Sequence, residues 1–266
     1  MSVEKKKKIG KPFIVLDVEG MSTCRPYNIG YLVCDKFGNI FLERSFAVLP
    51  CIWENLQNCL QAKEMTHKNV QEILSDIENE TKRKYIYNSI EEVKKLILGD
   101  CIKYHVKEIW AYNCAFDKGS LKRLFGNDWE MLNNLVSFYD IIPAIVHTTL
   151  LNKNYVKWCN ENGFITQKGN VMTKAEIVYK YLTGDNNFEE EHTGLSDCRI
   201  EYSILQTAIN SGKKIDRNEK CPAWKVFKEF CAVEGIETII PISENDSIQE
   251  TKQQKIEYCK NMNTMN

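Results

Sequence analysis

The run FIVLDVEG at residues 13–20 restricts the fold of this chain more than any other segment. Its apolar residues are continuous rather than alternating and include several β-branched types, which is typical of a strand buried in the centre of a sheet. Acidic residues interrupt the run at positions 17 and 19. A buried carboxylate loses several kcal/mol of hydration unless it is paired or bound to metal, so Asp17 and Glu19 require a specific partner.

The alternation of side chains along a strand places Asp17 and Glu19 on the same face. Two carboxylates at such a short distance raise each other's pKa, and a divalent cation between them removes the repulsion. Oxygen ligands of this kind suit Mg²⁺ or Mn²⁺. The same D-x-E spacing occurs at 76–78 and 128–130, where charged or loop-like surroundings predict solvated side chains.

The remaining pattern predicts an α/β fold with a mixed central sheet flanked by helices. YNIGYLVCD and NIFLERSFAVL, joined by Lys36, Phe37 and Gly38, predict an antiparallel meander with the first strand. VKEIWAYN and VSFYDII are further strand candidates, and they alternate with helical segments. The predicted helices are a segment capped by Ser89, CAFDKGSLKRLF, KAEIVYKYLTG ending at Gly184, and the amphipathic TGLSDCRIEYSILQTAIN.

We expect a basic disordered tail at 1–11, one α/β domain at 12–212, and a partly helical or disordered extension at 213–266. Helix-period sequence at about 53–104, with an apolar stripe at 70–77, predicts a helical insertion. The lysine run at 5–8 could contact phosphates, but a solvated tail is the ordinary explanation.

The charge balance gives no general reason to expect nucleic-acid binding. The 266 residues include 35 basic and 36 acidic ones, so any nucleic-acid site must be local. Eleven cysteines are scattered without a CxxC pair, which predicts reduced thiols rather than a zinc site. The start of the chain lacks the pattern of a signal peptide and no apolar stretch has spanning length, so we expect a cytoplasmic protein with no membrane partner.

Asp117 directly follows a predicted strand, at the start of the next helix. Ligands of α/β sheets collect where strands end and helices begin, which makes Asp117 a candidate ligand. The alternative is an aspartate favoured by the helix dipole, and Asn113 could simply cap the same helix. His192 and Asp197 open the long amphipathic helix, where both can overhang one site, although a lone histidine is more often structural.

Together these residues resemble the DEDDh family of exonucleases, which have a ribonuclease H-like fold. The matching segments are VLDVEG at Asp17 and Glu19, NCAFDKGSL at Asn113, Phe116, Asp117 and Leu121, and HTGLSD at His192 and Asp197. The segment 155–205 is also similar to phage and prophage members. The resemblance covers roughly residues 11–210.

The resemblance implies a 3′-to-5′ exonuclease that releases nucleoside 5′-monophosphates from single-stranded DNA or RNA 3′ ends. Two Mg²⁺ or Mn²⁺ ions would be held by the four carboxylates Asp17, Glu19, Asp117 and Asp197. His192 would act as general base rather than as a ligand. The 3′-terminal nucleotide would lie against Gly20, Met21, Asn113 and Phe116, and a homodimer in a bacterial cytoplasm is the assembly expected by analogy.

Two other functions use the same residues. A ribonuclease H-like endonuclease would need similar carboxylates, and a non-catalytic nucleic-acid-binding protein could retain the fold. Phe116 could equally be a core residue. The sequence contains no element that identifies a 2′-hydroxyl contact, so it does not choose between DNA and RNA.

Overall fold

A computed structural model describes residues 8–61, 86–220 and 222–240 of the chain. These residues form two compact units. Unit 1 comprises the described parts of 8–151 and 173–223, and unit 2 comprises 152–172 with 224–240. Segments far apart in the sequence therefore share unit 2, which the domain boundaries predicted from the sequence did not include.

Unit 1 contains the predicted meander. The strands β1 (Phe13–Glu19), β2 (Asn28–Cys34) and β3 (Ile40–Val48) pair antiparallel in sequence order. The turn between β2 and β3 is closed by a hydrogen bond of 3.0 Å from the Asp35 amide to the Asn39 carbonyl. The three-residue connection predicted at 36–38 lies within this turn.

Parallel pairs complete the sheet. β4 (Ile86–Tyr87) pairs with β3, β5 (Glu108–Ala111) pairs with β1, and β6 (Ser137–Asp140) pairs with β5. The order of the six strands is β4-β3-β2-β1-β5-β6. This mixed sheet confirms the predicted α/β class. β4 is an edge strand and lies within the segment 53–104, for which the sequence predicts a helical insertion.

Helices connect and flank the strands. In chain order they are α1 (Leu49–Gln61), α2 (Ile90–Lys103), α3 (Cys114–Phe125), a 3₁₀ turn (Gly126–Asp128), α4 (Trp129–Asn133), α5 (Ile141–Ile145), a π turn (Val146–Leu150), α6 (Lys153–Glu161), α7 (Ala175–Thr183), α8 (Gly194–Asn210) and α9 (Ala223–Glu234). The predicted apolar stripe at 70–77 and most of the lysine run lie outside the described residues.

Two helix ends follow the predicted signals at Ser89 and Gly184, and the structure adds a cap at Thr193. The Ser89 hydroxyl accepts a 3.3 Å hydrogen bond from the Glu92 amide at the start of α2. Gly184 ends α7 with φ of 74°, a left-handed conformation that glycine adopts without cost. Thr193 caps α8 by accepting from the Ser196 amide at 3.4 Å. The local sequence therefore fixes where these three helices begin or end.

The two faces of β1 are covered differently. On one face, Ile14, Leu16 and Val18 form part of the main core, to which α2 and α3 also contribute residues. The alternate residues face α8, as shown by the 6.3 Å contact between the rings of Phe13 and Tyr202. Asp17 and Glu19 belong to this second set, so the acidic pair lies on the face that α8 covers.

Unit 2 has its own small core. Tyr155 of α6 packs on Phe227 of α9 with ring centroids 5.7 Å apart, and its hydroxyl donates to the Met172 carbonyl at 2.7 Å. Both rings are fully buried.

Among the described residues of the chain, no helix is long and apolar enough to cross a membrane. The cysteines whose side chains are described are free thiols.

Candidate metal centre

Three carboxylates from two distant segments meet at the carboxyl end of β1. Asp17 and Glu19 come from the strand, and Asp197 comes from the first turn of α8. One oxygen from each lies within 4.8 Å of the others, which is close enough for one cation to contact all three. These three residues could therefore hold a metal ion.

Asp17 is the least compensated member of this cluster. Its Oδ2 atom is buried and has no hydrogen-bond partner. Burial raises the pKa of Asp17 well above its ordinary value, and the charges of neighbouring carboxylates, Asp117 foremost, raise it further. An unsatisfied buried oxygen is costly unless a cation fills the space beside it.

Asp117 stands beside the cluster but outside the group of three. It lies in the first turn of α3, is 2% exposed, and its Oδ1 accepts a 3.2 Å hydrogen bond from the Val18 amide of β1. Burial raises the pKa of Asp117 well above its usual value, although the Val18 bond acts in the opposite direction. The hydrogen bond fixes this carboxylate against the strand that carries Asp17.

The contact of α8 with the sheet depends on two glycines. A Cβ atom at Gly30 of β2 would lie 2.0 Å from the carbonyl carbon of Gly194, which is backbone and cannot rotate away. The Gly194 amide donates to Asn28 Oδ1 at 3.2 Å, and the Cys198 thiol contacts the Gly30 carbonyl at 3.1 Å. This close approach is what carries Asp197 to β1.

His192 lies at the edge of the site rather than within the cluster. Its backbone has φ of 51°, an uncommon conformation for a residue with a side chain, and the next residue caps α8. The side chain is 58% exposed, and its Nδ1 lies 3.9 Å from Glu190 Oε2. The imidazole is therefore open to solvent on the approach to α8.

Two further acidic residues belong to the surroundings and were missed in the sequence. Burial and then the charge of Asp197 raise the pKa of Glu190 to about 7. Glu201 is 3% exposed, and its Oε2 accepts from the Tyr112 amide at 3.3 Å. Burial raises the pKa of Glu201 well above normal, and the charge of Asp17 adds to the shift. Its position four residues after Asp197, on one helix face, was the available signal.

The predicted substrate-binding residues flank the cluster on two adjacent strand ends. Gly20 and Met21 follow β1, where the Met21 amide donates to Asn55 Oδ1 of α1 at 2.8 Å. Asn113 precedes α3 with φ of 62°, and its side chain makes no capping bond. The Asn113 amide instead donates to Asp140 Oδ1 at 3.1 Å.

Met21 and Phe116 both pack partly buried against the main core. Asn55 was missed because a buried asparagine within α1 has no signature in the sequence. Its side chain also donates 2.8 Å bonds to the Arg25 carbonyl in the loop after β1 and to the Cys51 carbonyl of α1, so it ties that loop to the helix at two points.

The structure defines an α/β protein with a carboxylate cluster at the end of its central strand. Among the described residues, the cluster able to hold a metal offers only oxygen donors, which suit hard cations such as Mg²⁺ and Mn²⁺. The chain matches no protein-family model, and a search of the curated proteins found no match.

We expect the metal-free protein to lose stability as the pH rises. The raised pKa of Glu190, about 7, means that the folded state binds more protons than the unfolded state between about pH 4 and 7. Stability must then fall across this interval, and Mg²⁺ should reverse the loss because it binds the deprotonated cluster. Thermal unfolding with Mg²⁺ or EDTA measures both effects.

The expected gain in melting temperature on adding Mg²⁺ is about 5–10 °C at roughly pH 8, for ligand near 100 times its Kd. It should be clearly smaller at about pH 5, because burial raises the pKa of Asp17 and protons then compete with the cation for this carboxylate. An equal gain at both pH values would contradict a cation held by these carboxylates.

Proposed function

We propose that the protein is a metal-dependent exonuclease that removes nucleotides from the 3′ ends of single-stranded DNA or RNA. The observation that carries the proposal is the buried, unpartnered Oδ2 of Asp17 inside a cluster of three carboxylates. The mixed sheet, with β1 between an antiparallel and a parallel neighbour, is compatible with the ribonuclease H-like fold that the resemblance implies.

The donor set fits the divalent ions that such a reaction requires. Asp17, Glu19 and Asp197 would hold the first ion, and Asp117, whose charge acts on Asp17, would help to hold the second. Bound Mg²⁺ or Mn²⁺ would supply a water of lowered pKa and neutralise charge on the scissile phosphate. The buried setting strengthens these interactions because little water screens them.

The remaining roles fall to residues at the edge of the cluster. His192, exposed beside α8, would accept the proton of the attacking water, and Glu190 would orient its ring through Nδ1. The loop at Gly20 and Met21 and the start of α3 at Asn113 and Phe116 would contact the terminal nucleotide. The products would be nucleoside 5′-monophosphates, and a phage-like cytoplasmic enzyme, with homodimer formation, is part of the same proposal.

The decisive experiment incubates the protein with 5′-labelled single strands of DNA and of RNA in Mg²⁺ or in EDTA. An exonuclease gives a ladder that shortens stepwise, requires the metal and stalls at a 3′-terminal block. Internal cleavage of the blocked strand would instead identify an endonuclease. Binding in Mg²⁺ without any shortening would identify a non-catalytic binding protein, and either result would overturn the proposal.

We expect His192→Asn to slow turnover by about 100-fold or more while leaving the metal-dependent gain in melting temperature intact. Asparagine tolerates the left-handed backbone at this position, so the change removes the imidazole without adding strain. His147→Asn, which alters a half-exposed histidine beside Asp216, is the matched control and should retain full activity. Loss of the Mg²⁺ effect in His192→Asn would mean that the histidine is a ligand.

A further inference from the structure

A cavity lies at the start of β1, at the opposite end of the strand from the carboxylates. It has a volume of about 840 Å³ and is lined where β1 and β5 begin, at Phe13 and Glu108, and by the β2–β3 turn. β1 and β5 run parallel, so their carboxyl ends lie on the same side of the sheet, away from this cavity. The carboxylate cluster is at that far end. Among the described residues, none that lines the cavity belongs to the carboxylate cluster.

The rim of this cavity is strongly basic. The cationic or protonatable side chains that line it are Lys8, Lys11, Lys36, His105, Lys107 and Arg217. Glu108 is the one acidic residue among the lining residues, and it lies 3.5 Å from the Arg217 guanidinium. Three more lysines directly precede Lys8 in the sequence. In a chain of net charge -1, this concentration of positive charge is local and marks an anion-binding surface.

Aromatic rings stand among these cations. Phe37 is 39% exposed, and the amino groups of Lys8 and Lys36 lie 4.8 and 5.1 Å from its ring centroid. An exposed cation on a ring contributes only about two- to fivefold to an equilibrium constant. A nucleic-acid base stacked on a ring contributes about five- to 150-fold, so a base would displace the lysines, which are then free to contact phosphates.

We propose that this cavity binds single-stranded nucleic acid, with a base against Phe37 and phosphates on the surrounding lysines. The assignment of that strand as substrate rests on the proposed function. β1 rises about 3.3 Å per residue, so along the strand Phe13 at the cavity lies roughly 13 Å from Asp17 and roughly 20 Å from Glu19. A long strand can therefore occupy both sites, whereas a dinucleotide whose 3′ end is at the carboxylates cannot.

The test measures binding separately from cleavage. The double variant Lys36→Glu/Lys107→Glu and the single variant Phe37→Leu are titrated in EDTA with a fluorescent single strand of about twenty nucleotides. We expect the Kd to rise at least about tenfold for the lysine variant, with the slope of log K against log salt reduced by about 1.4 for two lost contacts. Phe37→Leu keeps an apolar side chain and should raise the Kd about fivefold or more.

Lys95→Glu/Lys157→Glu is the matched control, since it makes the same change of charge at two exposed lysines that do not line the cavity. The control should bind as the wild type does. With Mg²⁺, kcat/KM should fall in the lysine variant for the long strand and stay unchanged for a dinucleotide.

Equal Kd values for the cavity variant and the control would overturn the proposal. So would a Phe37→Leu variant with normal affinity, because the surface would then attract polyanions in general, including anionic vesicles or duplexes. If the wild type hydrolyses nothing but binds the strand through these residues, the exonuclease proposal fails and the binding site stands.

Discussion

Replacing Asp17 by asparagine is expected to reduce nucleotide release by about 1,000-fold or more. Metal-assisted stabilisation of the transition state is worth several kcal/mol, and each 1.36 kcal/mol corresponds to about tenfold in rate. Asp17 belongs to the group of three carboxylates. Its Oδ2 atom is buried and has no hydrogen-bond partner. Its loss therefore removes the best-placed ligand of the proposed ions.

The same substitution should leave folding intact. The pKa of Asp17 is raised by burial and by neighbouring carboxylates, so its ionised form destabilises the metal-free protein at neutral pH. In EDTA at about pH 8 the Asp17→Asn protein should consequently melt no lower than the wild type, and Mg²⁺ should no longer raise its melting temperature. Loss of activity together with loss of the Mg²⁺ effect separates a ligand from a merely structural residue.

Asp128→Asn is the control, because it changes the first residue of another D-x-E sequence. Asp128 is half-exposed and forms an ion pair of 2.9 Å with the buried Lys94, which also pairs with Glu91 at 2.7 Å and so keeps a carboxylate partner in the variant. This variant should keep full activity and the full Mg²⁺ effect. A fully active Asp17→Asn protein would refute the assignment of the site.

Gly30→Ala is expected to be the most damaging substitution outside the carboxylates. The added methyl group would lie 2.0 Å from the Gly194 carbonyl carbon and 2.1 Å from the Leu195 amide nitrogen, so the start of α8 must move. Overpacking of this kind costs about 1–3 kcal/mol, occasionally more. Because α8 carries Asp197, a shift of about 1 Å should also cost about 100-fold in activity.

Gly99→Ala is the matched control for this prediction. Gly99 lies in α2, and a Cβ atom built there meets nothing within 4 Å. Alanine is the better helix former, so Gly99→Ala should stabilise the protein by about 0.5–1 kcal/mol and leave activity unchanged. Chemical denaturation and the nuclease assay measure both variants. Wild-type stability and activity in Gly30→Ala would show that α8 does not depend on this close approach.

The sequence by itself determined the local structure and the identity of the first candidate ligands. The uninterrupted apolar run predicted β1, and the period of two placed Asp17 and Glu19 on one face. Ser89, Gly184 and the helical period of α8 predicted helix ends and an apolar face. These properties depend on neighbours within a few residues, which is the range over which a sequence pattern carries structural information.

Only the tertiary structure decided how the site is assembled. The approach of α8 to Gly30 and the hydrogen bond from the Tyr112 amide to the buried Glu201 join residues far apart along the chain. The basic cavity at the opposite end of β1 likewise gathers residues from 8 to 217. Proximity and burial arise from packing between elements, and that packing sets which carboxylates remain uncompensated and where positive charge collects.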